Sequence, residues 1–274
     1  MSEIIRITSR DNRRLVEVRK IRDGKEKSSI FVEGERLAVE ALRSELDIRE
    51  CIISTSFQED RRSVSIIKDL SDRNVPIIET PDRLFSSLSD TVNSQGVILI
   101  AKRPETRSGL QKRSGSESNS DLFVFLQETN DPSNLGAVLR TAEAAGVTGV
   151  IISGGSVDAF SPKALRAGMG ATFRVPIWDS AEFSDCIAWT NENGIQTIAA
   201  DISGRKSYSD VDWLKPSLVV FGSEANGLSK AEIDLADEVV IIPMQNGVES
   251  LNLAVSSGII LFEAVRQKLA ASPV

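Results

Sequence analysis

The stretch "IIPMQNGVESLNLAVSSGIILFEAVRQ", from Ile241 to Gln267, runs from an apolar strand through a polar turn into a long amphipathic helix. Ser250 and Asn252 stand where that helix should begin, with Asn252 expected one residue inside it, although Leu or Ala would hold a helix better. Small polar side chains beside free backbone N–H groups make a place where a ligand can sit. Two other polar loops follow apolar runs in the same half of the chain: "QETNDPSNLGAVLR", with Asn134, Gly136 and Arg140, and "FGSEANGLS", with Gly222, Glu224 and Gly227. Glycines there let backbone approach a ligand closely.

The chain contains no histidine, so the commonest general base and the commonest zinc ligand are both missing. Cys51 and Cys186 are in neither CxxC nor metal-ligand spacing, and both are expected reduced and buried, with no metal site. "GSEANGLS" has the GxxxxG spacing of a phosphate loop, but Leu228 stands where the lysine should be, which argues against an NTPase. No GxGxxG follows the first strand of this half, which argues against a dinucleotide site. Taken singly, each polar residue also has an ordinary reading. Asn134 and Ser250 could cap helices, Arg140 could be a solvated side chain, and Glu224 a loop carboxylate.

The elements that must carry these loops alternate. After Asp121 the runs "LFVFLQ", "VTGVIIS", "IQTIAAD", "SLVVFGS" and "EVVIIPM" are separated by helical stretches, the pattern of an α/β domain with a mostly parallel sheet covered on both faces. Before Arg103, "SIFVEG", "IRECIIS", "VPIIET" and "GVILIAKR" alternate with shorter helices and predict a smaller α/β domain. The segment between, "PETRSGLQKRSGSESNS", is rich in Ser and Gly and reads as a flexible linker. The expected domains are therefore 1–103, a linker over 104–120, and 121–274. In the terminal helix, Leu251, Val255, Ile259, Phe262 and Leu269 recur at near-helical spacing and are expected in the core.

The net charge of −7 is uneven: residues 1–103 are nearly balanced, with 19 Lys and Arg against 18 Asp and Glu, whereas 121–274 hold 10 against 19. Basic residues exceed acidic ones 9 to 5 within the first 30 positions. That local excess suggests a confined phosphate-contacting surface. No run of about 18 apolar residues could span a bilayer. The start "MSEIIRITSRDNRR" lacks the apolar core of a signal peptide, so a cytoplasmic location is the expectation.

In order and spacing, the polar loops resemble the motifs of the SpoU/TrmH family of RNA ribose 2'-O-methyltransferases, members of the SPOUT superfamily. N-x-G-x-x-x-R is present as Asn134, Gly136 and Arg140; G-x-E-x-x-G-L as Gly222, Glu224, Gly227 and Leu228; and I-P-M…S-L-N-x-x-V as Ile242, Pro243, Met244, Ser250, Leu251, Asn252 and Val255. "SPKALRAGMGA" is similar to an intervening stretch of the family, with Gly168 where many members carry serine. The amino-terminal segment, "ITSRDNRRLVEVRKIRD" and then "IFVEGERLAVEAL", resembles the ribosomal-protein-L30e-like substrate-binding domain of many members.

The resemblance implies a trefoil-knotted sheet of SPOUT type, S-adenosylmethionine as cofactor, and a homodimer through the knotted domain. It implies that Gly222, Ile242, Met244 and Leu251 line the cofactor while Ser250 and Asn252 fix the turn. Arg140 would stand at the target ribose, with Asn134 positioning it and Glu224 organising the site. Because guanidinium groups ordinarily stay protonated, Arg140 is read as a cation stabilising the developing alkoxide or clamping a phosphate, ahead of literal general-base action. Arg10, Arg13, Arg14, Arg19 and Lys20 are the candidate RNA contacts. Ribosomal RNA is the preferred substrate, because the two-domain layout resembles ribosomal-RNA-methylating members. The alternatives are transfer RNA, a non-catalytic RNA-binding or ribosome-associated protein, or a nucleotide-binding enzyme outside the family.

Overall fold

The computed structural model describes residues 4–112 and 121–271, and the chain divides into two compact units. Residues 4–105 and 159–173 form one, and the remaining described residues form the other.

In the first unit the order is β1 (Ile4–Arg6), α1 (Arg13–Arg22), β2 (Ser29–Glu33), α2 (Glu35–Arg43), β3 (Ile48–Ser54), α3 (Thr55–Glu59), α4 (Ser63–Asp72), β4 (Ile77–Thr80), α5 (Asp82–Ser86) and β5 (Val97–Lys102). The sheet order is β1-β4-β3-β5-β2, parallel among β1, β4 and β3 and antiparallel across β3–β5 and β5–β2. On α1, Leu15, Val18 and Ile21 recur every third residue and pack on Phe31, Ile52, Ile78, Ile98 and Ile100 of the sheet. Each such buried side chain contributes about 1.5–3 kcal/mol. Glu33, only 3% exposed, ends β2 and gathers the loop before β5. It accepts from the backbone N–H of Asp90 (2.9 Å), from the hydroxyls of Thr91 (2.9 Å) and Ser94 (3.0 Å), and from the Ser89 hydroxyl.

The second unit contains β6 (Leu122–Leu126), α6 (Pro132–Ala144), β7 (Gly149–Ser153), β8 (Ile177–Ala181), α8 (Phe183–Asn193), β9 (Gln196–Ala200), β10 (Lys206–Ser207), β11 (Ser217–Phe221), α9 (Lys230–Asp234), β12 (Glu238–Ile241) and α10 (Leu253–Ala271). Its sheet, β10-β12-β9-β11-β6-β7-β8, is parallel at every pairing. β6, β7 and β11 are buried at every residue, which is why they read as unbroken apolar runs. From β6 the chain steps outward to β7 and β8, then returns to the other side of the sheet for β9 and β11. The reversal falls between β6 and β11, and in such sheets ligands bind beyond the strand ends at that point.

By its contacts the segment 159–173 groups with the first unit. Its helix α7 (Pro162–Gly168) packs on β2, Arg166 pairs with Asp90 at 2.7 Å, and the Arg103 guanidinium lies 4.6 Å from the centre of the Phe160 ring. Next, the first part of the expected linker is ordered by one apolar side chain: Leu110 is buried against Gly149, where a Cβ would lie 2.5 Å from Leu110 Cδ1. The Leu110 carbonyl accepts from Trp189 Nε1 (3.2 Å), Lys112 Nζ donates to the Asn193 carbonyl (2.9 Å), and Arg107 bridges to Trp178. Residues 113–120, the rest of that linker, lie outside the described residues.

A departure from the sequence reading concerns α10. Its core face is Leu253, Ser257, Ile260, Leu261 and Ala264, and α6 packs beside it. The residues expected in the core are on the other side: Val255, Phe262 and Leu269 are 50%, 48% and 71% exposed, Leu251 just before the helix is 37% exposed, and Ile259 is half-buried. The helix thus carries two apolar stripes, and periodicity alone could not say which one faces inward.

Candidate active site

Helix α6 opens at Asp131, whose side chain accepts from the Ser133 N–H at 2.9 Å, with Pro132 in the first turn. The capping role is thereby filled, and Asn134, one residue further on, is free for another task. Asn134 Nδ2 donates to Glu224 Oε1, and Asn134 Oδ1 accepts from Asn252 Nδ2 at 3.0 Å. Asn252 Oδ1 accepts from the Ala254 N–H at 2.9 Å, and Glu224 Oε2 accepts from the N–H groups of Asn130 and Asp131 at 3.2 Å each. The ends of this relay fix its direction. A backbone N–H can only donate and a carboxylate only accept, so both amides between them have one orientation. The relay ties together the loop after β6, the loop after β11 and the start of α10.

Asn252 therefore caps α10 from outside, and neither the expected position of Asn252 inside the helix nor the capping reading of Ser250 holds. Ser250 lies exposed two residues earlier. The β11 loop closes as a tight hairpin, Ser223 N–H to the Gly227 carbonyl at 3.0 Å and Gly227 N–H to the Ser223 carbonyl at 2.9 Å. Glycine is required at both ends: Gly227 has φ +65°, and a Cβ on Gly222 would lie 2.3 Å from the Gly227 carbonyl carbon.

Above these strand ends is a cavity of about 770 Å³, the size of sites that hold nucleoside-sized ligands. Asn134, Gly222, Glu224, Ile242, Met244, Ser250, Leu251 and Asn252 all line it. Of the cofactor and catalytic candidates, Arg140 alone does not. It is exposed on α6, about 9 Å further along the helix from Asn134. The lining also includes Asp201 and Glu249, which the sequence reading passed over. With Glu224 they bring in three carboxylates, and among the described residues no lysine or arginine faces them. Asp201 had a legible signal, an acid directly after the apolar run of β9.

In the first unit, Arg10, Arg13, Arg14 and Lys20 are exposed, as a phosphate-contacting surface requires, and Lys20 Nζ lies 3.4 Å from Glu17. Asn12 caps α1 by accepting from the Arg14 N–H at 3.0 Å, and the first turn holds no acid. Arg19 is placed differently from these four. It is half-buried, with Nη1 on the Arg10 carbonyl (3.0 Å) and Nη2 on the Ser87 hydroxyl (3.4 Å). Burial, then Arg10 and Arg22, lower its pKa. Beside it, Arg22 Nη1 donates to the carbonyls of Ser87 (3.1 Å), Leu88 (3.2 Å) and Ser89 (3.4 Å). Arg19 and Arg22 are thus spent on holding the end of α5.

Comparison with known proteins agrees with this layout. The profile of the SpoU rRNA Methylase family matches residues 121–262, and that of the RNA 2'-O ribose methyltransferase substrate binding family matches residues 31–107. The chain is similar to an uncharacterized tRNA/rRNA methyltransferase of Synechocystis, 30% identical over 99% of this chain and 97% of the relative. Among solved structures it resembles an AdoMet-bound rRNA methyltransferase from Sinorhizobium meliloti, with a TM-score of 0.83 and 29% identity over 96% of this chain and 98% of that one. It also resembles an RNA 2'-O ribose methyltransferase, with a TM-score of 0.81 and 28% identity over 97% of this chain and 100% of that one.

Proposed function

The chain belongs to the SpoU rRNA methylase family, and from that premise we propose that it transfers a methyl group from S-adenosylmethionine to a ribose 2'-hydroxyl of ribosomal RNA. The observation that carries the reading is the relay Asn252–Asn134–Glu224, which joins the loops around the cavity through side chains whose only evident task is mutual orientation.

The cavity suits the cofactor. Phe221, Ile242, Met244 and Leu251 offer apolar surface to a base, and the glycines of the β11 loop allow close backbone approach. The carboxylates of Asp201 and Glu249 repel a phosphate-bearing nucleotide and favour a ligand with positive charge, while that of Glu224 is taken up by its three donors. Bound there, S-adenosylmethionine would supply a sulfonium-activated methyl group, with the neutral thioether S-adenosylhomocysteine as its leaving group.

The protein's residues then have to align the hydroxyl and support the charge that develops on it. Two backbone donors hold the Glu224 carboxylate in place, and it in turn fixes the amide of Asn134 at the cavity edge. Arg140 supplies a cation for the developing alkoxide or the adjacent phosphate when RNA is bound. Its exposed position outside the cavity is consistent with a group that meets substrate and leaves the cofactor alone.

The RNA is gripped by the first unit through Arg10, Arg13, Arg14 and Lys20. Arginines in the first turn of α1, which holds no acid of its own, run against the helix dipole, and an RNA phosphate would relieve that conflict. The preference for ribosomal RNA draws on the Sinorhizobium rRNA methyltransferase, which matches this chain over nearly its whole length. The same reading includes the trefoil knot and the homodimer through the knotted domain. The dimer is supported by the second apolar stripe of α10, Val255, Ile259 and Phe262, a surface that a second copy would cover. A cytoplasmic location is part of the proposal.

The test is transfer of labelled methyl from S-adenosylmethionine to unmodified ribosomal and transfer RNA, with Arg140→Ala alongside. Label in ribosomal RNA that the variant loses is the expected result. Label in transfer RNA would overturn the substrate choice, and cofactor binding with no label in either would favour a non-catalytic RNA-binding role.

A further inference from the structure

The function above uses the Glu224 side of the cavity and gives Asp201 a charge but no specific partner. Asp201 follows β9, which is flanked by β12 and β11, whereas Asn134 follows β6 on the far side of β11. Two strand spacings, about 10 Å, therefore separate the strands that carry the two residues. Ala200, just before Asp201, pairs with Phe221 and Val240, so Asp201 stands where Ala200, Ile202, Phe221, Val240 and Ile241 make the lining apolar. That is the end suited to the adenine base, and the group attached to a base is its ribose.

The two oxygens of Asp201 are in different situations. Oδ1 accepts from the Ser203 N–H (2.8 Å) and the Ser203 hydroxyl (2.6 Å), which fixes the carboxylate plane. Oδ2 lies 3.7 Å from where a Cβ on Gly227 would stand, an ordinary contact distance, and takes no hydrogen bond among the described residues. An acceptor held at a strand end on a cavity wall, with one oxygen not taken by donors among the described residues, matches adjacent hydroxyl donors.

We propose that Asp201 Oδ2 accepts hydrogen bonds from the ribose 2'- and 3'-hydroxyls of the cofactor's adenosine. The proposal rests on the S-adenosylmethionine reading of the cavity and adds the group that selects a ribonucleoside within it. The competing role for a carboxylate there is to pair with the ammonium of the methionyl chain, and the ligands of the test separate the two.

Calorimetric titration of the full-length protein with S-adenosylhomocysteine and with 5'-methylthioadenosine, which keeps the ribose and lacks the amino-acid chain, reads binding without turnover. Asp201→Ala should weaken both ligands by the same factor, about tenfold to a hundredfold, as expected for a hydrogen bond to a charged group. 3'-Deoxy-5'-methylthioadenosine should bind the wild-type protein more weakly than its parent does, and should lose less than its parent in the variant, since only its 2'-hydroxyl still meets Asp201. Asp201→Asn keeps an acceptor for the Ser203 N–H and should show an intermediate loss with an unchanged melting temperature. Ser203→Ala leaves Oδ2 in place and should bind within about twofold of wild type.

Loss of S-adenosylhomocysteine binding with 5'-methylthioadenosine unaffected would overturn the ribose contact in favour of the ammonium. A Ser203→Ala loss as large as that of Asp201→Ala would reduce Asp201 to a loop former. If the wild-type protein bound none of these ligands, the cofactor reading itself would fall, and this inference with it.

Discussion

Glu33 in the first unit and Glu224 in the second are both hubs of hydrogen bonds, and their surroundings give them opposite work. Glu33 is 3% exposed and takes donors from Ser89, Asp90, Thr91 and Ser94, all within one local loop. Glu224 lies exposed on a cavity wall and takes donors from the loop after β6, through Asn130, Asp131 and Asn134. A buried carboxylate satisfied by one enclosing loop holds a fold together. An exposed one satisfied by a distant loop positions that loop for something that arrives from solvent, and removing it leaves no buried group unpaired.

The comparison can be broken most easily at its functional end. Arg140→Ala should lower turnover by about a thousandfold or more with cofactor affinity intact, because the cation is engaged only with substrate in place. Glu224→Ala should lower turnover by about a hundredfold and leave the melting temperature nearly unchanged. Glu33→Ala should do the reverse: a stability loss of about 2–3 kcal/mol, read by denaturant unfolding, with cofactor affinity at wild-type level in the protein that remains folded. Equal loss of stability in the two glutamate variants would erase the distinction.

The basic residues sharpen the comparison further. Replacing Arg10, Arg13, Arg14 and Lys20 together should weaken RNA binding and flatten the slope of log affinity against log salt by about 0.7–0.9 for each phosphate that is no longer neutralised. Arg19→Ala should instead destabilise the first unit, since its guanidinium already serves the Arg10 carbonyl and Ser87. The smallest expected effect is none at all. Cys51 and Cys186 are buried and burial raises both thiol pKa values, that of Cys186 to about 12, so neither should react with a thiol reagent until the protein unfolds.

The sequence made the class of the fold and most of the cavity legible, for a physical reason. Buried parallel strands such as β6 and β11 must be apolar at every position, so the loops after them stand out as polar interruptions. The individual bonds were not legible. That Asn252 reaches Asn134 across 118 positions follows from the strand order, which no local pattern encodes. Leu110 was hidden in a Ser- and Gly-rich segment because one buried side chain is enough to dock a linker. The face of α10 was misjudged because two apolar stripes compete for the core on one helix. Arg19 looked like its basic neighbours, since only packing separates a guanidinium that holds carbonyls from one that waits for phosphate.

The most direct measurement is digestion to nucleosides of ribosomal RNA labelled by the wild-type protein and by Glu224→Ala, with cofactor binding measured on both. The account predicts label in a 2'-O-methylated nucleoside from the wild-type protein, and its near disappearance in the variant while cofactor affinity persists. Label on a base, or undiminished ribose methylation by Glu224→Ala, would contradict it.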